Sequence, residues 1–226
     1  MRILNVTQTY FPFLEFGGPP VKVRALSQQL AKRGHEVTVL TADWGLQSRA
    51  AVASKAERTE LGWRLEESGI EAIYLASRLR FRALSWNPGI ARFCRARLGN
   101  FDVVHIFGLY DFLGPAIAAA CRRGGIPYVV EPIGMFVPIV RNFLLKRMYH
   151  LALGQRMLRG SRKIIATSPQ EVAELAESGL PTEKIQVRRN GVEVSETLPL
   201  DRSPARVIPE TSSSSLRSTS NLALQL

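Results

Sequence analysis

The segment spanning residues 2–42 constrains this chain more than any other. Arg2-Ile3-Leu4-Asn5-Val6-Thr7 reads as a strand, and the long loop after it ends in Gly17-Gly18-Pro19-Pro20. A helical pattern then runs to Gly34, and His35-Glu36-Val37-Thr38-Val39-Leu40-Thr41 reads as a second strand. Strand, glycine-rich loop, helix and strand in that order form a phosphate-binding βαβ unit. The layout points to nucleotides or their diphosphates as the ligand class before any catalytic residue is identified.

The chemistry of the loop supports that reading. Glycine lets backbone come close to a phosphate, and proline starts a helix without wasting an amide. Free amides and the helix dipole then favour an anion by roughly 0.3–1 kcal/mol at an exposed site. The competing reading of Gly17-Gly18 is a turn that needs positive φ. The dinucleotide fingerprint G-x-G-x-x-G is absent, because Gln8 to Gly18 separate strand from helix where that motif has a tight turn. Asp43, at the end of the second strand, is placed to hold a ribose, which keeps a nicotinamide-dependent oxidoreductase open as an alternative. No G-x-x-x-x-G-K-[ST], H-E-x-x-H, G-x-S-x-G or D-x-D motif occurs, so P-loop, metalloprotease, serine hydrolase and metal-clamped diphosphate chemistry lack support, and no metal site is expected.

Strand-like and helix-like runs alternate through the rest of the chain, which predicts an α/β fold with a parallel sheet and helices on both faces. Residues 44–60 read as a polar, mobile loop. Strands are expected at 69–75, 102–107, 127–131, 163–167 and 185–187, with helices at 87–98 and 113–123. A long amphipathic helix is expected over 139–159. Ser168, Pro169 and Glu171 form a helix start, with Glu171 three residues after the cap. After about Leu198 the chain turns rich in Ser, Thr, Pro and Arg, with Ser212 to Ser215 in the middle. The expected division is a domain over 1–192 and a low-complexity, disordered tail over 193–226.

Charge narrows the partners. The net charge is +11, and no acid occurs from Ala72 to Phe101 or from Pro132 to Gln170. The first stretch holds Arg78, Arg80, Arg82, Arg92, Arg95 and Arg97, and the second holds Arg141, Lys146, Arg147, Arg156, Arg159, Arg162 and Lys163. These bases form either a solvated face or a surface for anionic lipid or anionic substrates. Nucleic acid is not expected, since aromatic stacking rows and a recognition-helix signature are both missing. Cys94 and Cys121 lack metal spacing and read as reduced core thiols of a cytoplasmic protein. The N-terminus runs directly into a strand pattern with no room for a signal peptide, and no apolar run reaches the roughly 18 residues of a membrane span.

Together the segments resemble the N-terminal half of a retaining, metal-independent glycosyltransferase of the GT-B architecture, family 4. The matching pieces are Gly17-Gly18 before Leu26 to Leu30, Arg33-Gly34-His35-Glu36-Val37-Thr38-Val39, Asp102-Val103-Val104-His105, Pro127-Tyr128-Val129-Val130, Ala166-Thr167-Ser168 and Asn190-Gly191-Val192. The resemblance implies one Rossmann-like half of a GT-B fold, in which Gly17 and Gly18 approach the donor diphosphate. It also implies that His105 and the loop Glu131-Pro132-Ile133-Gly134-Met135 line the acceptor side, with Glu131 and His105 as catalytic candidates. The competing readings are a satisfied core histidine for His105 and a structural salt bridge for Glu131.

The implied donor is a nucleoside diphosphate sugar, bound as substrate with no resident cofactor. The implied acceptor is a glycan or a lipid-linked glycan, handled in the cytoplasm or at the inner face of its membrane. Two departures stand out. Ile133-Gly134 occupies the place of a His-Gly pair in many relatives, and too little chain follows Val192 for a second Rossmann-like domain with its E-x7-E carboxylates. The serine-rich tail reads as a truncated or frameshifted frame, so the polypeptide alone is expected to be inactive. The alternative is a non-catalytic membrane-surface or sugar-phosphate-binding module.

Overall fold

The computed structural model describes residues 1–81, 84–134 and 149–189. Strand β1 (Arg2–Val6) leads through helix α1 (Gly18–Lys32) to β2 (Glu36–Ala42). A short helix α2 (Ala50–Ala53) and strands β3 (Glu57–Thr59) and β4 (Gly62–Glu67) precede β5 (Ile70–Leu75). A separate hairpin of β6 (Leu79–Phe81) and β7 (Leu84–Trp86) leads to α3 (Gly89–Arg97). Then come β8 (Val103–Phe107), α4 (Leu113–Gly124) and β9 (Tyr128–Glu131). A π-helical turn, His150–Gly154, runs into α5 (Gln155–Gly160), followed by β10 (Lys163–Ala166), α6 (Pro169–Glu177) and β11 (Ile185–Val187).

The main sheet has the order β11-β10-β9-β8-β1-β2-β5-β4-β3. From β11 to β5 neighbouring strands run parallel, and β4 and β3 close one edge antiparallel. This is the Rossmann-like α/β fold expected from the alternating pattern. Its central strand, β1, is buried from Ile3 to Val6, as a parallel strand covered on both faces must be.

The sheet divides the core in two, and period-two alternation decides which residue joins which half. Ile70, Ala72 and Tyr74 of β5 pack with Val37 and Val39 of β2 and Val23 of α1. Ile73 and Leu75 of the same strand pack with Leu40 of β2, Phe93 of α3, Ile117 of α4 and Leu158 of α5. The helix α4 ends where Gly125 takes the left-handed conformation, φ 67°, as the Gly124-Gly125 pair predicts.

The expected loop over 44–60 is corrected by the structure. It contains α2 and β3, and β3 pairs with β4 as an edge hairpin. Cross-strand contacts there involve charge: Arg64 meets Glu57 of β3 at 3.6 Å and Arg58 lies over the Trp63 ring at 5.3 Å, while Arg64 also pairs with Glu66 of its own strand at 2.7 Å. Charged pairs in place of an apolar alternation suit an edge strand and remove the signal that sequence reading relies on. Gly62 lets β4 lie against β5, because a Cβ there would lie 2.1 Å from the Tyr74 carbonyl oxygen. Residues 139–148 of the expected 139–159 helix lie outside the described residues, as do Met135, Asn190 and the expected tail over 193–226.

Candidate functional site

The sheet topology selects one position. From β1 the chain moves outward through β2 to β5, then returns to the other side of β1 with β8 and continues outward to β11. Open α/β sheets bind ligands beyond the carboxyl ends of their strands, where the strand order reverses, and here that is between β1 and β8. A cleft of about 300 Å³ lies there. Its walls are Thr7, Gln8 and Thr9 after β1, Phe16, Pro19 and Pro20 at the start of α1, Trp44 after β2, and Gly108, Leu109 and Asp111 after β8.

Gly17 and Gly18 lie in sequence between the wall residues Phe16 and Pro19 and play different parts. Gly17 caps α1 with φ 110° and ψ −158°, a conformation closed to other residues. A Cβ on Gly18 would meet nothing within 4 Å, so packing does not require glycine there, and the space above it is open. Of the first-turn residues Gly18, Pro19 and Pro20, only Gly18 carries an N–H. An anion at this helix end would therefore meet a single first-turn amide and the dipole, less than the run of free amides expected from the sequence.

Next to the cleft the structure joins residues from four elements around Glu131. The Glu131 side chain is fully buried at the end of β9, and its carbonyl accepts from the Gly108 amide at 2.8 Å. Lys22 of α1 donates to Oε1, and Arg188, just past β11, donates to Oε2. His105 Nε2 lies 3.3 Å from Oε2, and this buried nitrogen makes no hydrogen bond among the described residues. The imidazole stacks on Phe107, with centroids 3.8 Å apart.

Burial pushes the Glu131 carboxyl up, but the contacts with His105, Lys22 and Arg188 outweigh it and leave the group below the ordinary carboxylate range. Burial pulls His105 below its ordinary value, against the pull of Glu131, so the ring is neutral near pH 7. Around a single carboxylate stand two permanent cations, a local excess of positive charge beside the crevice.

Of the residues singled out in the sequence, His105 and Glu131 are brought together, and both lie behind the cleft walls. Gly134 is held nearby, its amide donating to Glu171 Oε1 at 2.7 Å. Asp43 spends Oδ1 on the amides of Gly45 and Leu46, at 2.8 and 2.9 Å, where it starts the turn at Leu46–Ser48. Sequence reading did not single out Lys22, Arg188 or Asp111 as site residues. Asp111 Oδ1 accepts from the Gly114 amide at 2.7 Å, and burial raises its pKa to about 6. Among the described residues no group of three metal-ligating side chains is found, and no helix is long and apolar enough to cross a membrane.

Fold and crevice together define one Rossmann-like unit of the GT-B kind. The glycosyl transferase 4-like domain matches residues 17–191, and the chain belongs to that family. It is 27% identical over 164 residues to a glycogen synthase of Streptococcus equi subsp. equi (strain 4047), covering 70% of this chain and 33% of the relative. Its fold is similar to that of Anabaena Alr3699/HepE, solved in complex with UDP and glucose, at TM-score 0.57 and 15% identity over 85% of this chain and 45% of that one. It is also similar to the UDP-GlcNAc 2-epimerase of Methanocaldococcus jannaschii, at TM-score 0.54 and 12% identity over 83% and 45% of the two chains. The chain thus spans about a third to under half of these relatives.

Proposed function

We propose that this chain is the acceptor-side domain of a glycosyltransferase that uses a nucleoside diphosphate sugar as substrate and has no resident cofactor. The acceptor would be a glycan or lipid-linked glycan in the synthesis of a surface polysaccharide or glycolipid. The observation that carries the reading is the switch-point cleft, with the open backbone of Gly18 next to its wall residue Pro19, in a chain of this family. Bond breaking at the anomeric carbon places charge on the leaving diphosphate, and preorganised dipoles and cations stabilise such charge. Here the Gly18 amide, the α1 dipole and the positive surroundings of Lys22 and Arg188 would contribute. Much of the donor's contact surface would come from a facing domain.

Titration with UDP-glucose, followed by the fluorescence of Trp44 in the cleft wall, tests this reading. Saturable quenching that Trp44→Phe abolishes supports it. Unchanged fluorescence, together with no heat in calorimetry at millimolar UDP-glucose, would overturn the donor contact at the Gly18 end of the cleft.

A second reading is favoured by one observation. Arg156, Arg159, Arg162 and Lys163 are all exposed, within a stretch of sequence that has no acid. Such a surface suits peripheral docking on anionic lipid. Co-sedimentation with phosphatidylglycerol vesicles, and not with phosphatidylcholine vesicles, is the expected result; equal binding to both removes this reading.

A further inference from the structure

Glu171 shows a feature that its place in the helix start does not explain. At the third position of α6, a capping-box glutamate reaches back to the cap residue's amide. Only half of that motif forms: the Ser168 hydroxyl accepts from the Glu171 amide at 3.2 Å. The Glu171 carboxylate, 2% exposed, points elsewhere. Oε2 accepts from the Thr167 amide at 2.7 Å and the Thr167 hydroxyl at 2.8 Å, and Oε1 accepts from the Gly134 amide at 2.7 Å. One carboxylate therefore joins the turn after β10 to the loop after β9.

That loop needs holding. Ile133 has φ 57° and Gly134 φ 66°, two consecutive residues in the left-handed region. A β-branched residue there is an outlier that persists only when its surroundings over-determine it. Ile133 packs against the core half that holds Phe107, and Gly134 is pinned by Glu171. Glu131, three residues before Gly134, is the carboxylate that receives Lys22 and Arg188. A charge-assisted hydrogen bond to a backbone amide is among the stronger constraints available for fixing such a turn.

We propose that Glu171 is a positioning residue of the candidate site: it clamps the Ile133–Gly134 turn and thereby fixes where Glu131 meets Lys22, Arg188 and His105. The importance of that geometry to ligand binding rests on the glycosyltransferase reading above; the clamp itself does not. Glu171 would touch no ligand. Its carboxylate acts through the backbone of the β9 loop.

Two measurements on the whole chain test the clamp without any nucleotide sugar. Amide exchange of Gly134 should be slowed in the wild type and quickened about tenfold or more in Glu171→Ala. Glu171→Gln, which keeps one acceptor oxygen, should fall between them, while amides inside β10 keep their protection in both variants. The second readout is the NMR titration of His105, faced by Glu131, Lys22 and Arg188. Loosening the loop admits water, so the midpoint of His105 should rise toward its ordinary value in Glu171→Ala. A Gly134 amide that already exchanges freely in the wild type overturns the clamp, even if Glu171→Ala fails to fold. A His105 titration identical in wild type and Glu171→Gln, with Gly134 released, overturns the positioning role. Failure to bind UDP-glucose bears on the functional reading alone.

Discussion

Two carboxylates in this molecule each hold two cations, at opposite ends of the sheet. Glu71, on β5, accepts from Arg64 Nε at 2.9 Å, from both terminal nitrogens of Arg97 at 3.0 and 2.6 Å, and from the Thr38 hydroxyl at 3.2 Å. Its partners come from β4, α3 and β2 at the amino ends of the parallel strands, and its side chain keeps 18% of its exposure. Glu131 keeps none, and its partners come from α1, β8 and the segment past β11, at the carboxyl ends. In both, burial raises the carboxyl and the partners more than reverse it. They differ in completeness: Glu71 is ringed by hydrogen-bonded donors, whereas His105 Nε2, 3.3 Å from Glu131 Oε2, makes no hydrogen bond among the described residues. A closed network at the amino edge is a fastening. An incomplete one beside the switch-point cleft leaves chemistry available.

The largest expected effect comes from removing the buried member. Glu131→Ala removes the fully buried carboxylate that Lys22, 16% exposed, and Arg188, 36% exposed, share, and should cost about 3 kcal/mol in urea denaturation. Asp111 supplies the control, a buried carboxyl that among the described residues accepts from backbone amides and from no cation. Its native pKa of about 6 exceeds the ordinary 3.8, so between those values the folded chain binds the extra proton. Stability should therefore fall by about 2 kcal/mol as pH rises from about 4 to about 6, and Asp111→Asn should remove that fall. Glu131 and Glu71 have the opposite sign. Their depressed native values add stability above the ordinary carboxylate range that is lost as pH falls through them. Stability of Asp111→Asn that still declines between pH 4 and 6 would refute the assignment to Asp111.

Glu71→Ala should cost less, about 1–2 kcal/mol, and the loss should shrink in high salt because the network is partly solvated. Equal losses for Glu71→Ala and Glu131→Ala would break the distinction between the two edges. The glycine pair sharpens it at the smallest scale. Gly17→Ala forces a side chain to φ 110° and should cost about 1–2 kcal/mol. Gly18→Ala should change thermal stability by a few tenths of a kcal/mol at most, yet weaken UDP-glucose binding about tenfold if a phosphate approaches that backbone.

Much of this arrangement was legible in particular residues. The buried run Ile3 to Val6, the Gly17-Gly18-Pro19 helix start, the Gly124-Gly125 stop and the Ser168-Pro169 start are local signals, and each lies where it was expected. The β3–β4 hairpin was not legible, because Arg64 and its glutamates replace apolar alternation with charge. The acid-free stretch from Ala72 to Phe101 also reads differently once folded: Arg97 pairs with Glu71 and Arg92 with Glu60, acids that lie outside it in sequence.

The sequence by itself determined the alternation of strands and helices, the glycine pair and the family, since these depend on neighbours within a few residues or on the order of short segments. Only the tertiary structure decided what surrounds Glu131. Lys22 stands 109 positions away and Arg188 stands 57, and Gly134 reaches Glu171 across 37. The physical reason is that burial makes an unpaired carboxylate costly, so each must find a cation or an amide. Which one it finds depends on how the sheet stacks distant segments at its carboxyl edge.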